Sequence, residues 1–389
     1  MGTNPARHCQ GNHNVTGAAL MVHLIEIMLV GCLVATAAAI PGCFLILRRM
    51  AMMSDAISHS VFLFIVMMFF IVQTLHSPWL IIAAAMTGLV TVILTERLIA
   101  TKQMKKDAAI GLIFPLFFAL AIILITQFAG MIHLDQDAVI LGEIAFTPFN
   151  RWLLWDVDMG PVGAWIMGVI ALINIGFISL FYKELKLATF DTALATSLGL
   201  APSLLHYGLM ACVSITCVGA FDIVGTILIV ALIITPPACA YLLTRRLSSM
   251  ILLSVLIGCL CAILGTLLAV AIDGSIAGTM CGIAGGLFIL IFLFSPEHGL
   301  VKRIYNNQRN AVHFSAILLT IQFLNHQGPS TDPFEYSMMN LTDHMGWSDT
   351  FAKKVVSHAL QKNYIATHAA NYQLTPFGIE VAKNAMASS

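Results

Sequence analysis

The chain has 389 residues, of which 59% are hydrophobic and 10% charged, and its formal net charge at pH 7 is zero. Soluble globular domains carry about 25% charged residues, so this composition excludes an ordinary soluble protein. Apolar stretches of about 20 residues recur between Leu20 and Phe294, whereas a transmembrane β-barrel would show short alternating segments. We therefore predict a polytopic helical membrane protein.

The first segment, residues 1–21, is polar. It lacks the basic start and following apolar region of a secretory signal peptide, so we predict no cleaved leader. Nine apolar segments follow, and one short or re-entrant segment changes the count, so we expect about 8–9 transmembrane helices in an all-α membrane domain. The predicted spans are 22–47, 56–74, 78–99, 108–130, 161–182, 203–221, 223–243, 250–272 and 275–295.

The distribution of Lys and Arg predicts the orientation. Basic residues cluster at 48–49, 97–106, 183–186, 245–246 and 302–303, and the loops on the other side carry almost none. Cytoplasmic loops are enriched in Lys and Arg. With nine spans, the N-terminus is expected outside and the C-terminus in the cytoplasm.

The stretch "MMSDAISHS" places Asp55 and His59 at the mouth of an apolar helix. At spacing i, i+4 the two side chains share one helical face. A carboxylate oxygen with an imidazole nitrogen suits manganese, ferrous iron or zinc, and ionisable groups inside a membrane usually face a pathway. The spacing is equally consistent with a structural pair that hydrogen-bonds at the membrane edge, near the basic pair at 48–49.

Two further acidic features stand out along the chain. The predicted outer loop carries Asp135, Asp137 and Glu143, which would attract cations or a partner protein, unless the loop is merely solvated. Asp222 lies between two apolar stretches with no basic neighbour, so it needs a partner or a cavity, unless it caps the following helix near Gly225.

The stretch "LATFDTALATSLGLAPS", residues 187–203, lies in a predicted cytoplasmic loop. It is too polar to span a membrane, and its pattern predicts one short amphipathic helix. Such a helix is suited to the groove of a partner protein, although a solvated connector has the same composition.

Residues 301–389 form a separate, charged segment. The pattern predicts an amphipathic helix ending at Gly328, a second helix with Ser348 as its N-cap, a short hairpin and a final helix. That order is typical of a small winged-helix domain. Five histidines of this segment lack ligand spacing and are interpreted as ordinary residues: His313, His326, His344, His358 and His368.

Several kinds of chemistry lack support in the sequence. The chain contains no GxxxxGK[ST], HExxH or GxSxG motif, so we predict no nucleotide hydrolysis by this chain. It also contains no CxxC pair, and we interpret the cysteines as apolar packing residues. A membrane-embedded metalloenzyme is a rival hypothesis, but zinc enzymes usually need three protein ligands, and no spacing supplies them.

Six blocks in order carry a family resemblance over residues 24–300. They are "RRMAMMSDAISHSV", "KKDAAIGLIFPLFFALAIIL", "HLDQDAVILGEIAF", "YKELKLATFDTALATSLGL", "GAFDIVGTILIVALIITPPACAYLLTRR" and "DGSIAGTMCGIAGGLFILIFLFSPEHGLV". The chain resembles the permease subunits of manganese/zinc/iron ABC importers, the ABC-3 type. The resemblance implies a multi-pass protein of the bacterial cytoplasmic (inner) membrane.

The resemblance also implies partners and roles. Two permease chains, identical or different, would form the pathway in membrane lipid, two separate ABC ATPase subunits would drive it, and an extracytoplasmic metal-binding protein would deliver the ion. Asp55 and His59 match the membrane-embedded pair of the family, and Asp222 is added as a candidate metal ligand. No permanently bound cofactor is implied, only a transported ion, for which we favour manganese over zinc or ferrous iron.

The same resemblance assigns two surfaces. The segment from Glu184 to Gly199 resembles the part that couples to the ATPase, with Phe190 and Asp191 at its contact centre. The acidic outer loop with Asp135, Asp137 and Glu143 becomes a candidate face for the metal-binding protein.

The segment after residue 301 departs from the common pattern of the family, whose members mostly end near "FSPEHG". It resembles the winged-helix part of diphtheria-toxin-repressor-type regulators, through "MNLTDHMGWSDTFAKKVVSHALQKNYI" and "YQLTPFGIEVAKN". A membrane-tethered, metal-responsive DNA-binding regulator is therefore the alternative function. The candidate recognition helix carries only Lys353, Lys354 and Lys362, so DNA binding is not favoured, and a regulatory or protein-contact role is expected.

Overall fold

A computed structural model describes residues 6–72, 78–128, 144–154, 157–295, 299–325, 345–368 and 371–387. These residues fall into two compact units, Met1–Phe292 and Leu293–Ser389. The first unit contains the apolar segments, and the second contains the charged segment that the sequence predicts to be separate.

The first unit is built from ten helices and one two-stranded hairpin within the described residues. The helices are α1 (Ala6–Leu47), α2 (Met52–Val72), α3 (Pro78–Ala100), α4 (Lys106–Phe128), α5 (Val162–Leu180), α6 (Tyr182–Phe190), α7 (Thr192–Ser197), α8 (Pro202–Leu243), α9 (Leu247–Ile272) and α10 (Ile276–Phe294). A 3-10 helix (Ile144–Phe149) precedes the antiparallel strands β1 (Arg151–Leu154) and β2 (Val157–Pro161). The described part of the first unit is mostly helical, as predicted, and the short hairpin is an addition that the sequence pattern does not indicate.

Six helices in the described part of the chain are long and apolar enough to cross a membrane, which makes this a multi-pass protein. They are Met21–Leu47, Lys106–Gln127, Val162–Leu180, Pro202–Leu243, Leu247–Ile272 and Ile276–Phe294. The count of eight or nine spans stays a prediction. Two of the predicted spans, 203–221 and 223–243, fall in the single element α8.

Helix α8 reverses direction at Gly225, whose φ of 76° and ψ of 169° are not helical. Before Gly225, His206 contacts Arg48 at the end of α1. After Gly225, the backbone oxygen of Ile233 lies against Gly42, also near the end of α1. A straight helix would separate residues 206 and 233 by about 40 Å. The chain therefore turns back at Gly225, and both halves of α8 contact α1.

Replacing Gly225 by alanine is expected to lower the free energy of unfolding by about 1–3 kcal/mol. The position is buried, and its backbone conformation is open almost only to glycine. Thermal unfolding of the purified protein in detergent measures the effect. Gly176→Ala in α5 is the matched control because a Cβ there meets no atom within 4 Å. Equal unfolding temperatures for the two variants would contradict the assignment of the bend.

Helix α1 lies at the centre of the first unit and contacts α5, α8 and α9. A buried polar link fixes this arrangement: Asn174 Nδ2 donates to the Ala37 carbonyl at 2.9 Å and to Thr216 Oγ1 at 2.8 Å. Thr216 in turn donates to the Cys212 carbonyl within α8 at 2.7 Å. Hydrogen bonds of this kind join helices where no water competes.

Over its described residues, the second unit contains α11 (Leu300–Asn325), α12 (Asp349–Gln361), strands β3 (Ile365–His368) and β4 (Asn371–Leu374), and α13 (Pro376–Ala387). The helices surround a small apolar core that includes Leu319, Val355 and Ile365. The order of helix, helix, hairpin and helix matches the pattern read from the sequence. Gly328, the predicted end of the first helix, lies outside the described residues. Ser348 occupies the N-cap position of α12 but makes no capping hydrogen bond through its side chain.

Candidate metal site and coupling surface

Asp55 and His59 lie together on the first two turns of α2. The distance from His59 Nε2 to Asp55 Oδ1 is 3.3 Å, and 31% of each side chain is exposed. One oxygen and one nitrogen therefore point to the same accessible position, where one ion can contact both. This is the juxtaposition that the i, i+4 spacing predicts.

The aromatic side chains of α4 restrict the His59 ring. Its centroid lies 5.7 Å from that of Phe114 and 6.1 Å from that of Phe118, which meets it edge-on. Phe62, one turn further along α2, packs on Phe118 at 5.9 Å. Packing on two sides limits the rotamers of His59, so its nitrogen is held in place before an ion arrives.

The hydroxyl groups of the same turns are already used. Ser54, Ser58 and Ser60 are buried and donate to the backbone carbonyls of Ala51, Ser54 and Ala56, respectively, at 2.9, 2.9 and 2.6 Å. Each hydroxyl donates its proton within its own helix, and burial keeps its oxygen away from the accessible position beside Asp55. The serines therefore line the packed side of α2, and the carboxylate and imidazole remain its exposed polar groups.

Contacts of the neighbouring residues place the Asp55–His59 pair beside the middle of α8 and of α3. The Cys217 thiol is 3.9 Å from the Ser54 carbonyl, and Ile57 lies against Gly88 of α3. Along α8, Cys217 is three turns, about 16 Å, beyond His206, which contacts Arg48. The start of α2 therefore packs against a part of α8 about three turns away from the Arg48–His206 contact.

Asp222 does not join this pair. It is exposed and lies one turn before the bend at Gly225. Within the described residues, no group of three or more His, Cys, Asp or Glu side chains is arranged to hold a metal ion. Asp55 and His59 therefore stand as a pair of candidate ligands within the described residues.

The acidic outer loop with Asp135, Asp137 and Glu143 lies outside the described residues. The hairpin that follows it is fixed to α1 through Arg151, whose guanidinium contacts Glu26 at 2.9 Å and Asp158 at 2.6 Å. The hydrogen bond from Arg151 holds the pKa of the Asp158 carboxyl below its usual range, and the Gly160 amide adds to this effect. These ion pairs hold the hairpin together and attach it to α1, next to the start of α5.

The coupling segment, residues 182–199, consists of two short helices, which corrects the prediction of one helix over 187–203. Asp191 separates α6 from α7 because its backbone is extended, and its Oδ1 accepts a hydrogen bond from the Leu194 amide at 2.9 Å. Gly199 ends the segment with a φ of 79°. Asp is favoured at the N-cap of a helix and Gly at the position just after its C-cap, which are the places of Asp191 and Gly199.

The coupling segment presents an apolar surface outward. Phe190, Leu194 and Leu198 are exposed, whereas Leu185, Ala188 and Ala195 are buried against the bundle. Glu184 lies in the first turn of α6. An exposed apolar row on an anchored segment is typical of a surface that docks into a partner protein.

A polar cluster behind the coupling segment joins four parts of the fold: the end of α1, α3, α6 and α8. Arg48 Nε donates to Thr189 Oγ1 of α6 at 3.1 Å, and its Nη1 lies 3.0 Å from His206 Nδ1. His206 Nε2 contacts Glu96 Oε1 of α3 at 2.6 Å. We call these residues, Arg48, Glu96, Thr189 and His206, the Arg48 cluster. It connects the coupling segment to the loop that leads into α2.

A cavity of about 630 Å³ borders the Arg48 cluster. Its wall comes from the end of α1, the end of α3, the start of α4, the coupling segment and the start of α8. Sequence reasoning missed the cluster because its members are far apart in the chain. The sequence offers one clue to the cluster: His206 and Glu96 both lie near the ends of apolar segments, close to basic residues.

Comparisons with known proteins agree on one family. A model described as the ABC 3 transport family matches residues 21–295. The zinc transport system membrane protein TroD of Treponema pallidum is 44% identical over 363 residues, 92% of this chain and 98% of that protein. The manganese transport system membrane protein MntD of Bacillus subtilis is 42% identical over 277 residues, 71% of this chain and 94% of that protein.

A solved structure gives the same result for the fold. PsaBC from Streptococcus pneumoniae, in complex with Fab, aligns with a TM-score of 0.58 at 31% identity, covering 72% of this chain and 93% of that chain. The similarity to TroD is longer than the region matched by the family model, so it extends into the second unit.

Proposed function

The chain belongs to the ABC 3 transport family, and we propose that it is the permease subunit that carries a divalent transition metal across the bacterial cytoplasmic membrane. The observation that carries this proposal is the Asp55–His59 pair, a two-ligand position inside the bundle. The chain acts as a transport subunit and not as an enzyme. Its cytoplasmic side carries the coupling segment and the second unit.

The ion is cargo and not a resident cofactor. Two protein ligands bind a cation weakly enough for it to leave, which conduction requires. A second permease chain, identical or similar, would add the same ligands across a twofold axis and complete the coordination for the moment of passage. Asp222, outside this pair, is a secondary candidate ligand at the bend of α8.

We favour manganese as the cargo, with zinc and ferrous iron as the alternatives. A carboxylate with an imidazole suits all three, and the sequence holds no CxxC pair of the kind that would favour copper. The names of the relatives include both a zinc system and a manganese system. Uptake of each metal by liposomes that contain this chain, its ATPase and its binding protein tests the proposal. ATP-dependent uptake of one metal is expected, and no uptake of any of the three contradicts the function.

The coupling segment is proposed to receive the ATPase subunits. Phe190, Leu194 and Leu198 would enter a groove of each ATPase, while Asp191 and Gly199 keep the two helices in the observed arrangement. ATP binding would then move the segment and, through Arg48, the start of α2. The outer face with Asp135, Asp137 and Glu143 is proposed to receive the metal-binding protein.

Replacing Phe190 by aspartate is expected to reduce co-purification of the ATPase with the permease at least about tenfold. The change places a charge in the apolar centre of the proposed interface, where an unpaired buried charge costs several kcal/mol. Phe314→Asp is the matched control, since Phe190 and Phe314 are both 63% exposed and Phe314 lies in the second unit. Equal recovery of the ATPase with both variants would show that Phe190 lies outside the interface.

The second unit is proposed to be a winged-helix-like cytoplasmic domain, supported by its order of helix, helix, hairpin and helix. We propose a regulatory or protein-contact role for it within the importer. No comparison supports the alternative of a membrane-tethered DNA-binding regulator.

A further inference from the structure

Two histidines of the second unit meet across two helices. His313 lies on α11 and His358 on α12, and His313 Nδ1 is 3.3 Å from His358 Nε2. Their ring centroids are 5.5 Å apart, and the ring planes are nearly perpendicular. The sequence interprets these residues as ordinary histidines because 45 residues separate them.

The separation of the two nitrogens suits a shared metal ion as well as a hydrogen bond. Zinc binds imidazole nitrogen at about 2.0–2.1 Å in tetrahedral geometry, which places two such nitrogens about 3.3–3.4 Å apart. Hydrogen bonds from nitrogen are most often near 2.9–3.0 Å, so 3.3 Å is long for that contact. The two nitrogens are therefore spaced as two ligands of one ion would be.

The protonation of His358 favours ligand binding. Desolvation lowers the pKa of His358, and the nearby charges of His313, Lys362 and Arg309 act in the same direction. Metals bind the neutral form of imidazole, which a lowered pKa favours. Lys362 and Arg309 also repel a cation directly, so the affinity is expected to be moderate.

Aromatic packing holds the pair in place on one side. The His313 ring lies 6.4 Å from the Tyr364 ring, which is buried in the core of the second unit. The contact between the two histidines is exposed, so water has access to the remaining coordination positions. An ion there would bridge α11 and α12 and stabilise the unit when it binds.

We propose that His313 and His358 bind one divalent cation of the zinc class, with water completing the coordination. Two imidazoles without a carboxylate favour zinc over manganese, which prefers oxygen ligands. This site is separate from the Asp55–His59 pair in both position and ligand chemistry. It gives the second unit a means to respond to metal in the cytoplasm.

The test is zinc binding to the full-length chain in detergent, with Asp55→Ala and His59→Ala introduced to remove the other pair. Isothermal titration with zinc chloride is expected to show one site per chain. His313→Gln and His358→Gln are each expected to weaken that site at least about tenfold. His368→Gln on β3 is the matched control, since it removes an imidazole that the proposal does not assign to the site. Manganese chloride is expected to bind more weakly than zinc.

Two results would overturn the proposal. One is the absence of zinc binding by the Asp55→Ala/His59→Ala chain. The other is equal binding by His313→Gln, His358→Gln and His368→Gln. Thermal unfolding without zinc checks that the variants fold, and zinc is expected to raise the unfolding temperature of His368→Gln but not of His313→Gln. Because the pathway pair is absent throughout, these results are independent of any transport measurement.

Discussion

Replacing Asp55 by alanine is expected to reduce metal uptake at least about 100-fold while leaving assembly intact. The carboxylate supplies one of the two ligands that this chain offers, and even loss of a residue that only orients a metal ligand costs about 10–100-fold in affinity or activity. The side chain is partly exposed and contacts His59, so its removal leaves little unfilled space. Uptake of radioactive manganese, zinc or iron by reconstituted liposomes is the measurement.

The control for this prediction is Ser54→Ala, one residue earlier. Ser54 donates only to the Ala51 carbonyl of its own helix turn, at 2.9 Å, so its loss should leave uptake within a few-fold of wild type. Co-purification of the ATPase and the second permease chain reports assembly for both variants. Normal uptake by Asp55→Ala would refute the ligand role, and the structural interpretation of the Asp55–His59 contact would stand.

Replacing Arg48 by glutamine is expected to reduce uptake at least about tenfold without preventing ATPase binding. The change removes the contacts to Thr189 and His206. Hydrogen bonds of charged groups are worth about 1.5–3 kcal/mol, which corresponds to roughly tenfold or more. Since Arg48 connects the coupling segment to the loop before α2, ATP hydrolysis should continue while metal transfer fails.

The matched control is Arg49→Gln. Arg49 is adjacent, carries the same charge and is exposed, and glutamine imposes no new strain at its φ of 55° beyond that already carried by arginine. The ratio of metal transported to ATP hydrolysed separates the two variants. If that ratio falls equally in both, the effect belongs to the basic charge of the loop and not to the Arg48 cluster.

Local patterns predict much of the membrane unit. Apolar length locates the helices, and the i, i+4 spacing alone predicts that Asp55 and His59 meet on one face. The sequence also divides residues 203–243 into two spans, although the reversal depends on the backbone of Gly225. The single predicted helix over 187–203 is wrong because Asp191 caps a new helix there and does not continue the first.

Non-local contacts are the part that patterns miss. Arg48 and His206 are 158 residues apart, and His313 and His358 are 45 residues apart. Each pair exists only because helices that are distant in sequence pack side by side. A histidine in a helical stretch gives no sign of its partner, so the Arg48 cluster and the histidine pair emerge only from the fold.

The central claim is that metal ions pass through the position held by Asp55 and His59. The most direct test is ATP-dependent uptake of manganese, zinc and ferrous iron by liposomes with the chain, its ATPase and its binding protein, comparing wild type with His59→Ala. We predict that wild type transports one of these metals, manganese in preference, and that His59→Ala does not. Equal uptake by wild type and His59→Ala would contradict the claim and direct the search for the pathway to Asp222 and the outer acidic loop.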